Sequence, residues 1–459
     1  MTNDRVVRNG RVVTAESTFD ADLVVDDGKI VGLVSPGTSI EATDVVDASG
    51  LLVMPGVVDP HVHVAEPNNI DTFEHGSRAA ALGGVTTFIT FAWQAWAGDQ
   101  SPWDEPGSLR EGVERQLTAG EDSVVDYGLH ATLSREDEAA FDEFPSLVSD
   151  GLTSFKMFTA YEFGLSTGFV ERALEEISAV DAVAVVHTED DSVCTAREER
   201  MRSDGRGSPV DYPDSRPDYT EAMAADDILR LARAANAKYY GFHTTSRATA
   251  DVIAAYRKDG TQVRGETCTH YTTLDESAYR DQGTLPVIAP PLRTRDDVDA
   301  MFEHLESGTL DVVSTDHVGF KRANKAADQW WDAPYGANSV QRSLPVFHDE
   351  AVVKRGYSYP FLVEKMCKNP AQAFGLDEKG TLKPGTDADF VLFDPEQTQT
   401  IRATDNASLA DYSIYEGREV TGSVVQTYLR GELLADGDEV VAKPGFGEFI
   451  ERSIPDWSV

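Results

Sequence analysis

Cysteine is nearly absent from this 459-residue chain, with only Cys194, Cys268 and Cys367 present. Three scattered thiols cannot build a disulfide framework or a CxxC zinc site, which points to a reducing, cytoplasmic setting. No apolar run approaches membrane-spanning length, and the start, MTNDRVVRNGRVV, lacks the apolar core of a secretory signal. Lysine is scarce too: 12 of the 40 basic residues, set against 79 acidic ones for a formal net charge of −39. The acid is spread along the chain (EATDVVDASG, SREDEAAFDEF, DESAYRDQG) rather than gathered in one tail. It therefore describes a surface and not a solvating appendage. Such a surface repels itself unless counterions screen it, so it suits high salt and reads as halophilic. It also argues against nucleic acid or an anionic membrane as partner.

What is present is a chain with 41% hydrophobic residues, long enough for one large domain and a smaller one. Eight short apolar segments rich in β-branched and aromatic residues recur: GLLVMPGVVD, VTTFITF (85–91), VVDYGLH (124–130), LTSFKMFT (152–159), AVAVVH (182–187), YYGFH (239–243), VRGETCT (263–269) and DVVSTD (311–316). Helical patterns lie between them, such as TGFVERALEEISA (167–179) and SRATADVIAAYRKDG, with Ser246 placed to cap and Gly260 to stop. Eight strands alternating with helices favour an α/β architecture, a (β/α)8 barrel.

The ends differ. Residues 5–50 and 381–441 alternate like β-strands broken by turns, and neither half makes a domain alone. Together they could form one β-sandwich built from both termini. The organisation expected is 1–52 and 381–459 for the sandwich and 53–380 for the barrel. The tail KPGFGEFIERS would extend away, onto another subunit.

In such a barrel, catalytic groups sit at the C-terminal ends of the strands. The stretch MPGVVDPHVHVAEP ends the first segment with His61 and His63, whose i, i+2 spacing on a strand aims two imidazoles at one face. Lys156 lies in the fourth segment, His187 ends the fifth, His243 the sixth and Asp316 the eighth. Each alone has a plain reading: a hydrogen-bonded strand-end histidine, a lysine facing solvent, an aspartate capping the next helix. Convergence of them all on one barrel face reads instead as a metal site.

These residues carry a resemblance. DPHVHVAEP, SFKMFTAY, HTED, HTTS, GETCTHY, APPLR and STDHVGF follow in order, and GTLKPGTDADFVLFD and YEGREVTGSVVQTYLRGE extend the match to the end. The sequence resembles a cyclic amidohydrolase of the amidohydrolase superfamily, in the branch of dihydropyrimidinase (hydantoinase) and allantoinase. The resemblance implies a homo-oligomer, dimer or tetramer, and a binuclear metal centre, usually zinc. His61, His63 and Asp316 would hold one ion, His187 and His243 the other, and Lys156, carboxylated on its side-chain nitrogen, would bridge them. Burial lowers the pKa of a lysine amine and frees it to react with carbon dioxide, and the anionic carbamate suits two cations. A hydroxide bridging the metals would then attack a ring amide of a small cyclic amide or ureide. Tyr161 would stabilise the oxyanion and Asp316 would carry the proton to the leaving nitrogen.

Substrate in this branch is also held by main chain near the first residue of APPLR, Ala289 here, and by an asparagine further on. Counting from Asp316 places that contact at Asn338, whereas matching the flanking Pro-x-Gly places it at Tyr335. Ala65 stands where a dihydroorotase carries a carboxylate-binding arginine, which speaks against that activity. ETCTHY and SVQRSLPVFHDEAVVKRG lean towards allantoinase, SFKMFTAYEFG and YEGREVTGSVV towards hydantoinase. Some dihydropyrimidinase-like proteins are non-catalytic because they lack the ligands; this chain retains all of them.

Overall fold

The structure, a computed structural model, describes residues 2–67 and 69–457. Its centre is an eight-stranded parallel sheet in which sequence order is spatial order. We number these strands β1 (Val57–Asp59), β2 (Val85–Trp93), β3 (Asp126–Thr132), β4 (Ser154–Phe158), β5 (Val183–His187), β6 (Lys238–Gly241), β7 (Val263–Cys268) and β8 (Val312–Ser314). Past the ends of β8 and β1 the sheet closes on itself: Val62 bridges His317 in parallel, and the His63 amide donates to the His317 carbonyl at 2.9 Å. The result is a (β/α)8 barrel. Every residue of β2, β3, β4 and β5 is buried, as expected of parallel strands covered on both faces.

The helices follow their local signals. Arg247–Lys258 starts at Ser246, whose side chain accepts from the Thr249 amide, and Thr167–Ala179 starts at Ser166 in the same way. Each cap satisfies an otherwise orphaned amide and contributes about 1 kcal/mol.

Both termini build the second domain. A four-stranded sheet comes from the N-terminal end, and a seven-stranded sheet interleaves the two ends. In the latter, Leu52–Pro55 pairs antiparallel with Phe390–Thr400 and parallel with Arg11–Val13. Val7, Leu23, Ile30 and Val53 from one end pack with Phe390, Leu392 and Tyr428 from the other. The apolar run GLLVMPGVVD is therefore not one barrel strand. It splits at Gly56, giving Leu52–Pro55 to the sandwich and β1 to the barrel. A side chain at 56 would run into Thr86, so only glycine lets the chain pass there.

The two domains are joined by a buried cation. Lys379 Nζ lies 2.5 Å from Asp126 of β3 and 2.8 and 2.9 Å from Asp387 and Asp389. Lys29 also pairs with Asp387 at 2.6 Å and Arg430 with Asp126, so three cations face these three carboxylates.

The C-terminal tail extends away from the sandwich, as expected, and the contacts it makes are with its own chain. It runs back across the base of its own barrel: the Tyr127 amide donates to Glu448, Ile450 donates to Tyr127, Arg452 donates to Gly151 and Ser453 donates to Gly375. Trp457 is buried, with its indole N–H on the Ala373 carbonyl at 3.1 Å. Glycine makes the approach possible. A Cβ at 447 would lie 1.9 Å from the Val125 oxygen, and one at 151 would lie 2.4 Å from Glu451 Cα. No helix among the described residues is long and apolar enough to cross a membrane.

Candidate metal centre

At the C-terminal mouth of the barrel the chain leaves β1 as Pro60–His61–Val62–His63. Because Val62 is held by its bridge to His317, the two flanking imidazoles turn to the same side. Their Nε2 atoms converge on one oxygen: Asp316 Oδ1 is 3.0 Å from His61 and 3.2 Å from His63. The opposite ring nitrogens are fixed by carboxylates, His61 Nδ1 by Glu266 at 2.6 Å and His63 Nδ1 by Glu66 at 2.7 Å. This is how a protein sets the tautomer of a metal-ligating histidine, with the proton on the far nitrogen and the lone pair inward. The rings are also stacked, His61 on Phe242 and His63 on Phe91.

A second pair faces the first. His187, ending β5, brings Nδ1 to 2.8 Å from Nε2 of His243, two residues past β6. His187 Nε2 is held by Glu189 at 3.0 Å. Burial lowers the pKa of both rings, that of His243 further because His187 is adjacent, so both present as neutral imidazoles. Burial opposes the charge of Asp316 as well, but His61 and His63 hold its carboxyl well below the usual range.

Lys156 of β4 reaches the same place. Its Nζ lies 4.0, 4.4 and 5.6 Å from the ring centres of Phe242, Phe158 and Phe91, and it has no hydrogen bond or ion pair among the described residues. Burial brings its pKa down to about 7, against the pull of Asp316, Glu266 and Glu66. A buried amine without a partner is costly unless it is modified or bound.

The backbone is strained where these groups are presented. Tyr161, His243 and Asp316 all have positive φ, at 75°, 35° and 46°. Left-handed conformations in non-glycine residues are costly and persist where the surrounding fold over-determines them. At Tyr161 the support includes a hydrogen bond from its amide to Asp191 at 3.1 Å.

The side chains open onto a cavity of about 520 Å³ that His61, His63, Lys156, His187, His243 and Asp316 all line, together with Tyr161 and Ala289. Trp93, Trp96, Phe158, Phe163 and Tyr335 give it an aromatic wall. Asn338 does not reach it. That side chain lies in a separate void of about 10 Å³ beside His317 and Ser408. Of the two placements open from the sequence, Tyr335 is the one at the cavity.

The donor set is of the kind that holds divalent cations. His61, His63 and Asp316 bring three ligand atoms within 4.8 Å of one another, and His187, His243 and the buried amine of Lys156 line the same cavity. Sequence reasoning passed over the carboxylates behind the histidines. Glu66, Glu189 and Glu266 lie inside HVAEP, HTED and GETCTHY, but in so acidic a chain nothing marks them out. Glu66 is the most tied of the three, accepting also from Thr90, the Phe91 amide and Trp93 Nε1.

Comparison with known proteins shows the family of the chain. Residues 52–434 match the amidohydrolase family. The chain is 34% identical to a D-hydantoinase of Streptomyces coelicolor, with 99% of each chain covered. It is 31% identical to an allantoinase of Salmonella newport, over 98% of this chain and 99% of that one. Its fold superposes on the crystal structure of a dihydropyrimidinase from Brevibacillus agri with a TM-score of 0.93 and 29% identity, over 98% of this chain and 99% of that one.

Proposed function

The chain belongs to the amidohydrolase family, and we propose that within it this protein is a metal-dependent hydrolase that opens a cyclic amide, a dihydropyrimidine or hydantoin ring. The observation that carries the reading is the convergence of His61, His63, His187, His243 and Asp316 around the partnerless Lys156 at the floor of one cavity. His61, His63 and Asp316 would hold one ion and His187 and His243 the other, with carboxylated Lys156 between them. When bound, two divalent ions, zinc by the resemblance, supply Lewis acidity and a water acidic enough to react at neutral pH.

The protein's own groups do the rest. Asp316 contacts both imidazoles through Oδ1, and Oδ2 has no partner among the described residues. That oxygen takes the proton of the attacking water and returns it to the ring nitrogen as the C–N bond breaks. Burial raises the pKa of the Tyr161 phenol well above its ordinary value, so the group stays protonated and donates to the oxygen that gains charge. The main chain at Ala289 orients the ring. The aromatic wall keeps bulk water away and takes up a ring substituent.

Two further readings rest on the sequence. The acid-rich, lysine-poor composition supports adaptation to high salt, and the resemblance supports a dimer or tetramer. Allantoin is the second substrate, favoured by the full-length similarity to an allantoinase. A turnover panel of dihydrouracil, hydantoin, allantoin and plain cyclic imides tests the assignment. Ring opening to an N-carbamoyl or comparable amide acid is expected, fastest on hydantoin or dihydrouracil. If fully metallated protein opens none of these rings, the assignment fails.

A further inference from the structure

We propose that Arg216 is a positioning residue that couples the His187 side of the site to the tyrosine wall opposite it. The inference rests on the reading above, in which His187 is a metal ligand and Tyr161 the oxyanion donor. No sequence motif marks Arg216, and it does not line the cavity, so it acts through its neighbours.

Its guanidinium is buried, and Nη1 donates to Glu189 Oε2 at 2.7 Å. The same oxygen lies 3.0 Å from His187 Nε2. Glu189 therefore accepts from both, which fixes the proton of His187 on Nε2 and leaves Nδ1 as the lone pair directed inward. Glu189 Oε1 has no partner among the described residues, so Arg216 is the one cation pinning this carboxylate. Without it, the carboxylate is free to turn, and His187 loses the acceptor that sets its tautomer and plane.

The other link is through the rings. The Arg216 guanidinium carbon sits 4.9 Å from the ring centre of Tyr335 and 5.3 Å from that of Tyr161. A cation at that distance fixes the ring plane and draws electron density from the face, which strengthens the phenol as a donor. Arg216 is itself held from behind, because its carbonyl accepts from Arg293 Nη1 and Arg293 is tied to Glu221 and Thr245. One rigid cation thus touches the partner of a ligand histidine and the ring of the donor phenol. Movement at either would be felt at both.

The test uses the metal-loaded protein with Arg216→Gln, Arg216→Lys, Tyr161→Phe and the double variants. Loss of metal to a chelator and kcat and KM on hydantoin or dihydrouracil are measured for each. Arg216→Gln should surrender metal about 10–100-fold more readily, the usual effect of removing an outer-shell partner. It should lower kcat with little change in KM, and it should cost less in the Tyr161→Phe background than in the wild type. Arg216→Lys, which keeps the charge without the planar fork, should fall between, and it carries the same measurements if Arg216→Gln does not fold. Wild-type metal retention in both Arg216 variants, with effects that simply add to Tyr161→Phe, would overturn the coupling and leave Arg216 a structural ion pair. If His187→Ala keeps two tight metals, or Tyr161→Phe is fully active, the proposal falls together with its premise, and those variants identify which part of the premise failed.

Discussion

Glu266 Oε1 lies 2.6 Å from Nδ1 of His61, placing a carboxylate of β7 behind a histidine that follows β1 on the other side of the closing strand. The same carboxylate accepts from the Tyr240 hydroxyl at 2.9 Å, which keeps it from turning. A base so placed holds the His61 proton on Nδ1 and leaves Nε2 to face Asp316.

Glu266→Gln should therefore weaken metal retention at the His61–His63–Asp316 position by about 10–100-fold while the barrel remains folded. Chelator titration with metal analysis reads the first effect and a melting curve the second. Unchanged metal affinity would show that the carboxylate does not orient the ligand.

Lys156→Ala should abolish both activity and stoichiometric binding of two metals, because carboxylated Lys156 is the proposed bridge between the two histidine pairs. A short carboxylic acid added to the variant should restore part of the activity by standing in for the carbamate. Two tightly bound metals per chain in an active Lys156→Ala protein would sink the bridge.

How much of this was legible in the sequence depends on where the information is stored. The eight strands, and the helices at 167–179 and 247–258, were readable because patterning and capping are local. That His61, His63, Lys156, His187, His243 and Asp316 share one cavity was readable because the fold puts strand ends together and the motifs occur in order. The split at Gly56 was not, because it depends on Thr86 standing behind the glycine. The surface on which the tail lands was not legible for the same reason. The tail's glycines signal a close approach, but the surface they approach is the chain's own strand β3, over 300 residues earlier. Arg216 and the three carboxylates are ordinary charged residues until the fold places them behind histidines.

The tail should be part of the stable fold. Trp457→Ala removes a buried indole and its hydrogen bond, and should cost about 3–5 kcal/mol of unfolding free energy in a denaturant titration at high salt. A loss below 1 kcal/mol would show that the tail is not docked on its own barrel in solution.

Stability should rise with salt. A formal charge of −39 repels itself strongly when the Debye length is roughly 30 Å at 0.01 M, and weakly when it is about 3 Å at 1 M. Melting temperature and activity should both increase towards molar salt, and dialysis to low salt should cause loss of structure or assembly. A melting temperature flat across that range would refute halophilic adaptation.

Substitutions at Asp316 and Tyr161 separate the two chemical roles proposed at the cavity. In the proposed mechanism Asp316 would be both a metal contact and the proton carrier, so Asp316→Asn should reduce turnover far more than it weakens substrate binding. Tyr161, as the proposed oxyanion donor, would act only on charge that develops during the reaction. Tyr161→Phe should therefore slow kcat by about 10²–10³, the cost of losing one oxyanion donor, with metal content unchanged. Positive φ at residue 161 is set by the backbone, including the hydrogen bond from its amide to Asp191, so phenylalanine keeps the ring where tyrosine had it. Any loss of rate in that variant then belongs to the hydroxyl. A Tyr161→Phe enzyme as fast as wild type on its best ring would remove the phenol from the mechanism and leave oxyanion stabilisation to the metals alone.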